Sequence, residues 1–185
     1  MSLQIARRWF NVDEYYRMAE TGILSEADRV ELIEGEVIQM SPIGSRHAAC
    51  VGRLTDLLAT VRDRAIVWVQ NPIRIDRYSE PVPDVALLRK RADFYSSNLP
   101  SAGDVLLVIE VADTSVDYDR DTKIPLYARS GIAEALLVNL PRDVIEYYCD
   151  PVGGKYQSVR IINRGESFTS QAVTGLTLSV EEILG

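Results

Sequence analysis

The sequence predicts a mixed α/β fold, a central mixed β-sheet flanked by helices. Three observations predict it. Short β-branched runs are bounded by Pro, Asn and Ser, two stretches carry helical features, and DVLLVIEVA at 104–112 is nearly continuous in apolar residues, as in a strand buried on both faces.

Taken in order, residues 11–31 read as helical, beginning near Asn11 and Asp13, interrupted at Gly22 and able to restart at Ser25 or Asp28. VELIEGEVIQM, residues 30–40, has two extended halves about a turn at Glu34 and Gly35, the pattern of a hairpin. In SPIGSRHAACVGRLTDLLATVRDR the apolar residues at 51, 54, 57, 58 and 61 form one helical stripe facing a core. AIVWVQ, IRID and PDVALLR read as three strands. A polar loop through Ser96, Ser97, Asn98 and Pro100 leads to the central strand. DTSVDYDRDTK supplies caps for a helix that runs to Ser130 and stops at Gly131. EALLVNL, DVIEYYCD, KYQSVRII and a strand near Phe168 to Val173 complete the sheet, and the chain closes on a short acidic tail. With no repeat, low-complexity tract or linker, residues 1–185 are expected to form one domain.

The 46% hydrophobic content is enough to bury a core without staples. No run approaches the roughly 18 apolar residues of a membrane span, and MSLQIARRWFNVDEYY lacks the apolar core of a signal segment, so a cytoplasmic location is expected. Cys50 and Cys149 stand far apart with no Cys or His at zinc spacing, as reduced structural thiols do. The net charge of −7 opposes general attraction to phosphate backbones, which counts against a plain nucleic-acid-binding module. It does not count against an enzyme whose carboxylates surround a divalent cation, because the cation reverses the local field.

Chemistry is expected where acids interrupt apolar strands. Glu110 follows the apolar run VLLVI in VLLVIEVA, and a lone carboxylate there is costly to bury without a cation or donor. Asp84 opens PDVALL, and two neighbouring strands would let Asp84 and Glu110 share a hard cation such as Mg²⁺. Lys123 lies in the first turns of the next helix, where its ammonium would reach a nucleophilic water or a phosphate oxygen, and Glu34 is a further acid at the hairpin turn. Each feature also has a plainer reading. PD commonly starts a strand, and a helix lysine is commonly solvated. His47 reads as a helix N-terminal residue that packs or hydrogen-bonds, and Asp117, Asp119 and Asp121 as charges suited to a helix start, with Asp121 or Ser115 within possible reach of a metal shell. The nine tyrosines are spread along the chain as core and interface residues, and the apolar segment Val144 to Tyr148 with the last strands would pair two copies as a homodimer.

The series PDVALL, VIEV, a Ser, then D-x-x-x-K-x-x-x-Y-A-R-x-G-I-x-E-x-x-L-V resembles the restriction-endonuclease-like superfamily, whose signature is PD followed by D/E-x-K. More narrowly, it resembles a large bacterial family of uncharacterised endonucleases, from VELIEGEVIQMSP through His47 to the strands after Gly131. The resemblance implies Asp84 as the PD acid, Glu110 as the second metal acid, the Val111 carbonyl as a main-chain ligand, Lys123 as the catalytic lysine and Glu34 as an auxiliary acid. It implies Mg²⁺ or Mn²⁺ as cofactor and DNA as substrate, cut to a 5′ phosphate and a 3′ hydroxyl. In the basic pattern the lysine stands two residues after the acid on the same strand face, and here that residue is Ala112, so the lysine is expected to have moved to the helix at Lys123. Two other functions compete: a degenerate nuclease fold kept as a binding or assembly module, and a metal hydrolase of a small phosphorylated substrate, which the acidic composition suits.

Overall fold

A computed structural model describes residues 7–25 and 27–185. The N-terminal stretch read above for a signal segment therefore lies in part outside the described residues. Helix α1 (Val12–Glu20) is capped by Asn11, whose side chain accepts from the Glu14 N–H while the Glu14 carboxylate accepts from the Asn11 N–H. It ends at Thr21, ahead of Gly22 at φ +75°, and no helix follows at Ser25. Asp28 instead accepts from the Ser25 N–H and hydroxyl, closing a turn of the kind that competes with helix.

Strands β1 (Val30–Ile33) and β2 (Glu36–Gln39) form the expected hairpin, with Glu34 and Gly35 both at positive φ, as a tight two-residue turn requires. Helix α2 (Ser45–Leu57) runs on as a 3₁₀ turn to Val61. Then come β3 (Ala65–Val69) and β4 (Val85–Arg89). IRID, expected as a strand, is irregular apart from one bridge between Arg74 and Ser101. The Ile75 and Asp76 amides turn back onto the Ser79 carbonyl, so the segment loops instead of extending a ladder.

Strand β5 (Val105–Ala112) leads into a broken crossover: α3 (Val116–Tyr118), a π-helical turn (Asp119–Lys123) and α4 (Ile124–Arg129). The sequence suggested one helix. Pro125 lacks the N–H that would bond back toward Asp121, and the widened turn immediately before it absorbs that break. Strands β6 (Glu134–Asn139), β7 (Val144–Val152) and β8 (Lys155–Ile162) follow. The order across the sheet is β3-β4-β5-β6-β7-β8, and only β5 and β6 run parallel, which is why the helical crossover lies between them.

The last strand was expected in this sheet. Instead β9 (Ser167–Thr169) and β10 (Thr177–Ser179) make a separate hairpin, and the acidic tail is a capped helix, α5 (Val180–Leu184). Glu134, buried on β6, accepts from the hydroxyls of Tyr147 (2.6 Å) and Ser170 and from the Gln171 N–H (2.6 Å), so the C-terminal unit is tied to the sheet.

Two apolar clusters cover the sheet. On one face α2, α5 and Phe168 pack against Leu107, Ile109 and Val111; on the other, Ile124 and Tyr127 pack with Val108 and Ala112. Cys50 and Cys149 are buried and form no disulfide, and burial pushes the Cys50 thiol up to about 11, where it is inert. Val144 to Tyr148, expected to meet a second copy, are buried inside the protomer because β7 is an interior strand. The exposed apolar side chains in this region are Val152, Val159 and Ile161, at the tip of the hairpin and on edge strand β8. Among the described residues no helix is long and apolar enough to cross a membrane.

Candidate active site

Strand periodicity places the first acid. In β5, Leu107, Ile109 and Val111 face the α2 side, so Glu110 shares the opposite face with Val108 and Ala112, under the crossover. The carboxyl is 3% exposed and therefore needs partners. The crossover supplies two: the Lys123 ammonium stands 2.8 Å from Glu110 Oε1, and the Tyr127 hydroxyl donates to the same oxygen at 2.5 Å. Lys123 and Tyr127 are four residues apart on one helical face, so one turn carries both. A third element closes the cluster. Glu31 on β1 lies 3.2 Å from the Lys123 ammonium and accepts from the Val82 N–H at 3.0 Å.

Asp84 joins from the start of β4. The register Val85↔Ile109 puts it opposite Glu110 on the neighbouring strand. One of its oxygens, Oδ2, accepts from the Val111 N–H at 2.9 Å and lies 3.0 Å from His47 Nε2 on α2; the other accepts from Gln70 Nε2 at 3.2 Å. The N–H and C=O of one strand residue point to the same side, so the Val111 carbonyl faces the Asp84 edge as well. Asp119, in the π-helical turn, is buried and accepts from the Ser115 hydroxyl at 2.6 Å. Glu31, His47, Asp84, Glu110, Val111, Asp119 and Lys123 all border one cavity of about 490 Å³.

The electrostatics are those of too many acids for one lysine. Burial, with Asp119, Asp84 and Glu31 adding to it, pushes the Glu110 carboxyl up to about 8 against the pull of Lys123. Asp119 is raised for the same reason, burial first, with Lys123 and the Ser115 hydroxyl opposing. Burial would raise Asp84 too, but the His47 hydrogen bond, the Val111 N–H and Lys123 more than offset it and hold the carboxyl below its usual range. That same hydrogen bond raises His47 in spite of its burial. Lys123 is held well above its ordinary range, because Glu110 and Glu31 outweigh the effect of burial, so its ammonium stays charged at neutral pH. Among the described residues no three His, Cys, Asp or Glu side chains stand close enough to form a ready-made metal cage. Two carboxylates, a carbonyl edge and surplus negative charge are nonetheless the hard-oxygen donor set that suits a cation which keeps several of its waters.

Asp84, Glu110, Val111 and Lys123, all expected at a site, are brought together. Glu34 is not. It sits at the hairpin turn at φ +50°, half exposed and ion-paired with Arg129, and borders a different depression beside Trp9 and Tyr78. The N-terminal acid in the cluster is Glu31. The signal for it was present in the sequence, since Glu31 interrupts the apolar VELI as Glu110 interrupts VLLVIEVA, whereas Glu34 belongs to the turn. Asp119, one of the helix-start charges, lies nearly opposite Asp117 around the helix, and it is buried in the π-helical turn while Asp117 stays exposed. His47 does hydrogen-bond near a helix start, as its plainer reading held, but its partner is Asp84.

A mixed sheet carrying an acid on each of two adjacent strands is of the restriction-endonuclease-like class, and here the lysine beside those acids comes from the crossover and not from the strand. Residues 12–181 match the Uma2 family model, described as "Putative restriction endonuclease", and the chain belongs to that family. The fold is similar to that of a crystal structure described as "a putative nuclease belonging to DUF820 from Anabaena variabilis ATCC 29413". The TM-score is 0.73 over 95% of this chain and 97% of that one, at 16% identity, so the likeness is one of fold. No curated protein matches the chain.

Proposed function

We propose that this chain is a divalent-cation-dependent endonuclease acting as a single domain on DNA phosphodiester bonds. The observation that carries the reading is the 2.8 Å contact between Lys123 and Glu110. Ala112 occupies the strand position where the superfamily pattern has its lysine, and the crossover returns a lysine to the same acid. Asp84, Glu110 and the Val111 carbonyl would hold Mg²⁺ or Mn²⁺. When bound, such a cation polarises the phosphate and lowers the pKa of a coordinated water. His47 and the Val111 N–H keep Asp84 ionised, hence a competent ligand. Lys123, permanently charged in this setting, orients a water or neutralises a phosphate oxygen and does not act as the base. Tyr127 donates to the same Glu110 oxygen and helps fix the carboxyl.

A second reading, hydrolysis of a small phosphorylated substrate, is favoured by the cavity rim. Among the described lining residues Arg29 is the one permanently charged cation apart from buried Lys123, little for a duplex backbone to bind. Calorimetry with Mg²⁺ and Mn²⁺ on wild type, Asp84→Ala and Glu110→Ala, with plasmid and oligonucleotide cleavage on the same samples, tests both. Binding and cleavage that vanish together in the variants support the nuclease. Cation binding without cleavage favours the small substrate, and neither binding nor cleavage in wild type leaves a fold retained for partners.

A further inference from the structure

Tyr118 borders the same cavity, and its hydroxyl is buried without a hydrogen-bond partner. Seven of the nine tyrosines donate to an identified acceptor: Tyr15, Tyr95 and Tyr156 to backbone carbonyls, and Tyr16, Tyr127, Tyr147 and Tyr148 to glutamates. Tyr78 is exposed, so Tyr118, itself partly exposed, is the one tyrosine with a buried hydroxyl and no partner for it. Acceptors are not scarce around it. Glu31, Asp119 and Glu110 are all close enough to act on it electrostatically, yet none accepts its proton. Burial, followed by these carboxylates, raises the phenol far above its usual range, so it remains a neutral donor. One other described buried side-chain atom lacks a partner, His47 Nδ1, and it belongs to a residue of the same cavity wall.

Buried donors are ordinarily satisfied, and the exceptions concentrate where a ligand supplies the missing partner. The cavity's one lysine is already engaged by two carboxylates, Glu110 and Glu31, which leaves a phosphate in need of other donors on the wall. We propose that Tyr118 is a substrate-positioning residue whose hydroxyl donates to a non-bridging oxygen of the phosphate group entering this cavity. Tyr118 borders the cavity and immediately precedes the π-helical turn, and the proposed contact requires its hydroxyl, buried here, to turn toward the cavity. The inference deepens the phosphodiester reading and rests on it for the identity of the substrate, though the contact itself requires only a phosphate.

The test compares the full chain with Tyr118→Phe and Tyr127→Phe. Urea unfolding is measured on each, alongside anisotropy of a short fluorescent single-stranded oligonucleotide in Ca²⁺ and a parallel titration with inorganic phosphate. The expected result is a Tyr118→Phe protein as stable as wild type or more so, with oligonucleotide binding about tenfold weaker, the size of one hydrogen bond to a charged acceptor. Tyr127→Phe, which loses a made bond, is expected to unfold at lower urea. Unchanged oligonucleotide affinity in Tyr118→Phe, or a loss of stability matching Tyr127→Phe, overturns the assignment and leaves the nuclease reading standing. If wild type binds no oligonucleotide, the nuclease reading fails, and phosphate decides for Tyr118: weaker phosphate binding in Tyr118→Phe upholds the contact, and equal or absent binding ends it.

Discussion

Replacing Lys123 with Met keeps a long unbranched side chain while removing the one cation that Glu110 and Glu31 share. The ammonium is 4% exposed and lies 2.8 and 3.2 Å from the two carboxylates, themselves 3% and 4% exposed. Taking one partner from a buried pair typically costs about 3–5 kcal/mol when the remaining charge is left uncompensated, which is the cost expected here above about pH 8, where Glu110 is ionised. In a chain of this length that corresponds to roughly 6–20 °C in Tm, at about 2–4 °C per kcal/mol. The loss should be partly recoverable. If the freed acids take up Mn²⁺, a concentration about a hundred times Kd restores about 2.7 kcal/mol. Urea unfolding of wild type and Lys123→Met, each in EDTA and in Mn²⁺, reads both quantities from the midpoints, with the m-value checking that the same surface unfolds. Equal midpoints in EDTA would falsify the claim that Lys123 neutralises the cluster, and a large deficit that Mn²⁺ does not touch would remove these acids from the list of cation ligands.

The two N-terminal acids should separate cleanly in a turnover assay. Glu31→Gln is expected to reduce cleavage at least tenfold by altering the charge around Lys123, whereas Glu34→Gln breaks a surface pair with Arg129 and should leave turnover within about twofold; equal effects would show the cluster to be misassigned. Away from the site, burial alone would raise the Glu146 carboxyl, but Arg120, Tyr148 and Asn139 donate to it and bring it from 4.5 down to about 2. A depressed carboxyl stabilises the fold above its unfolded pKa, and that contribution disappears as pH falls from 4.5 through about 2. Glu146→Gln should therefore be about 2–3 kcal/mol less stable at neutral pH and show a flatter acid limb; acid limbs that superimpose would rule the carboxyl out as its source.

Much of this was legible because period-two and helical spacing report directly on burial. The hairpin turn at Glu34 and Gly35, the stripe of α2 and the central strand around Glu110 all follow from local pattern, as does the pairing of Asp84 with Glu110 on neighbouring strands. What failed depended on backbone accounting that apolar pattern does not carry. IRID has strand-like composition, but its amides return to Ser79. The helix after Ser115 starts at the expected place, yet it is broken by a π-helical turn just before Pro125, in which Asp119 and Lys123 are buried. Val144 to Tyr148 looked available for a partner because sequence order does not say that β8 covers β7. Of the site residues, Glu31 was within reach of the rule that found Glu110, while His47 and Tyr118 needed coordinates, one for its Asp84 partner and the other for the lack of any.

The cluster around Lys123 is assembled from segments of very different sequence separation, and this orders its formation in time. Glu110, Lys123 and Tyr127 lie within a single β5–α4 stretch, so their contacts close a short loop and can form as soon as that unit nucleates. Glu31 must arrive from the N-terminal hairpin, across most of the intervening chain. The longer loop it must close is the reason to expect its docking late, so substitutions at Glu31 should act mainly by hastening unfolding, whereas those in the crossover also slow folding. On that order the hairpin that completes the charge balance of the site is the part expected to leave it first, and the lifetime of the intact cluster would follow how long β1 and β2 stay docked.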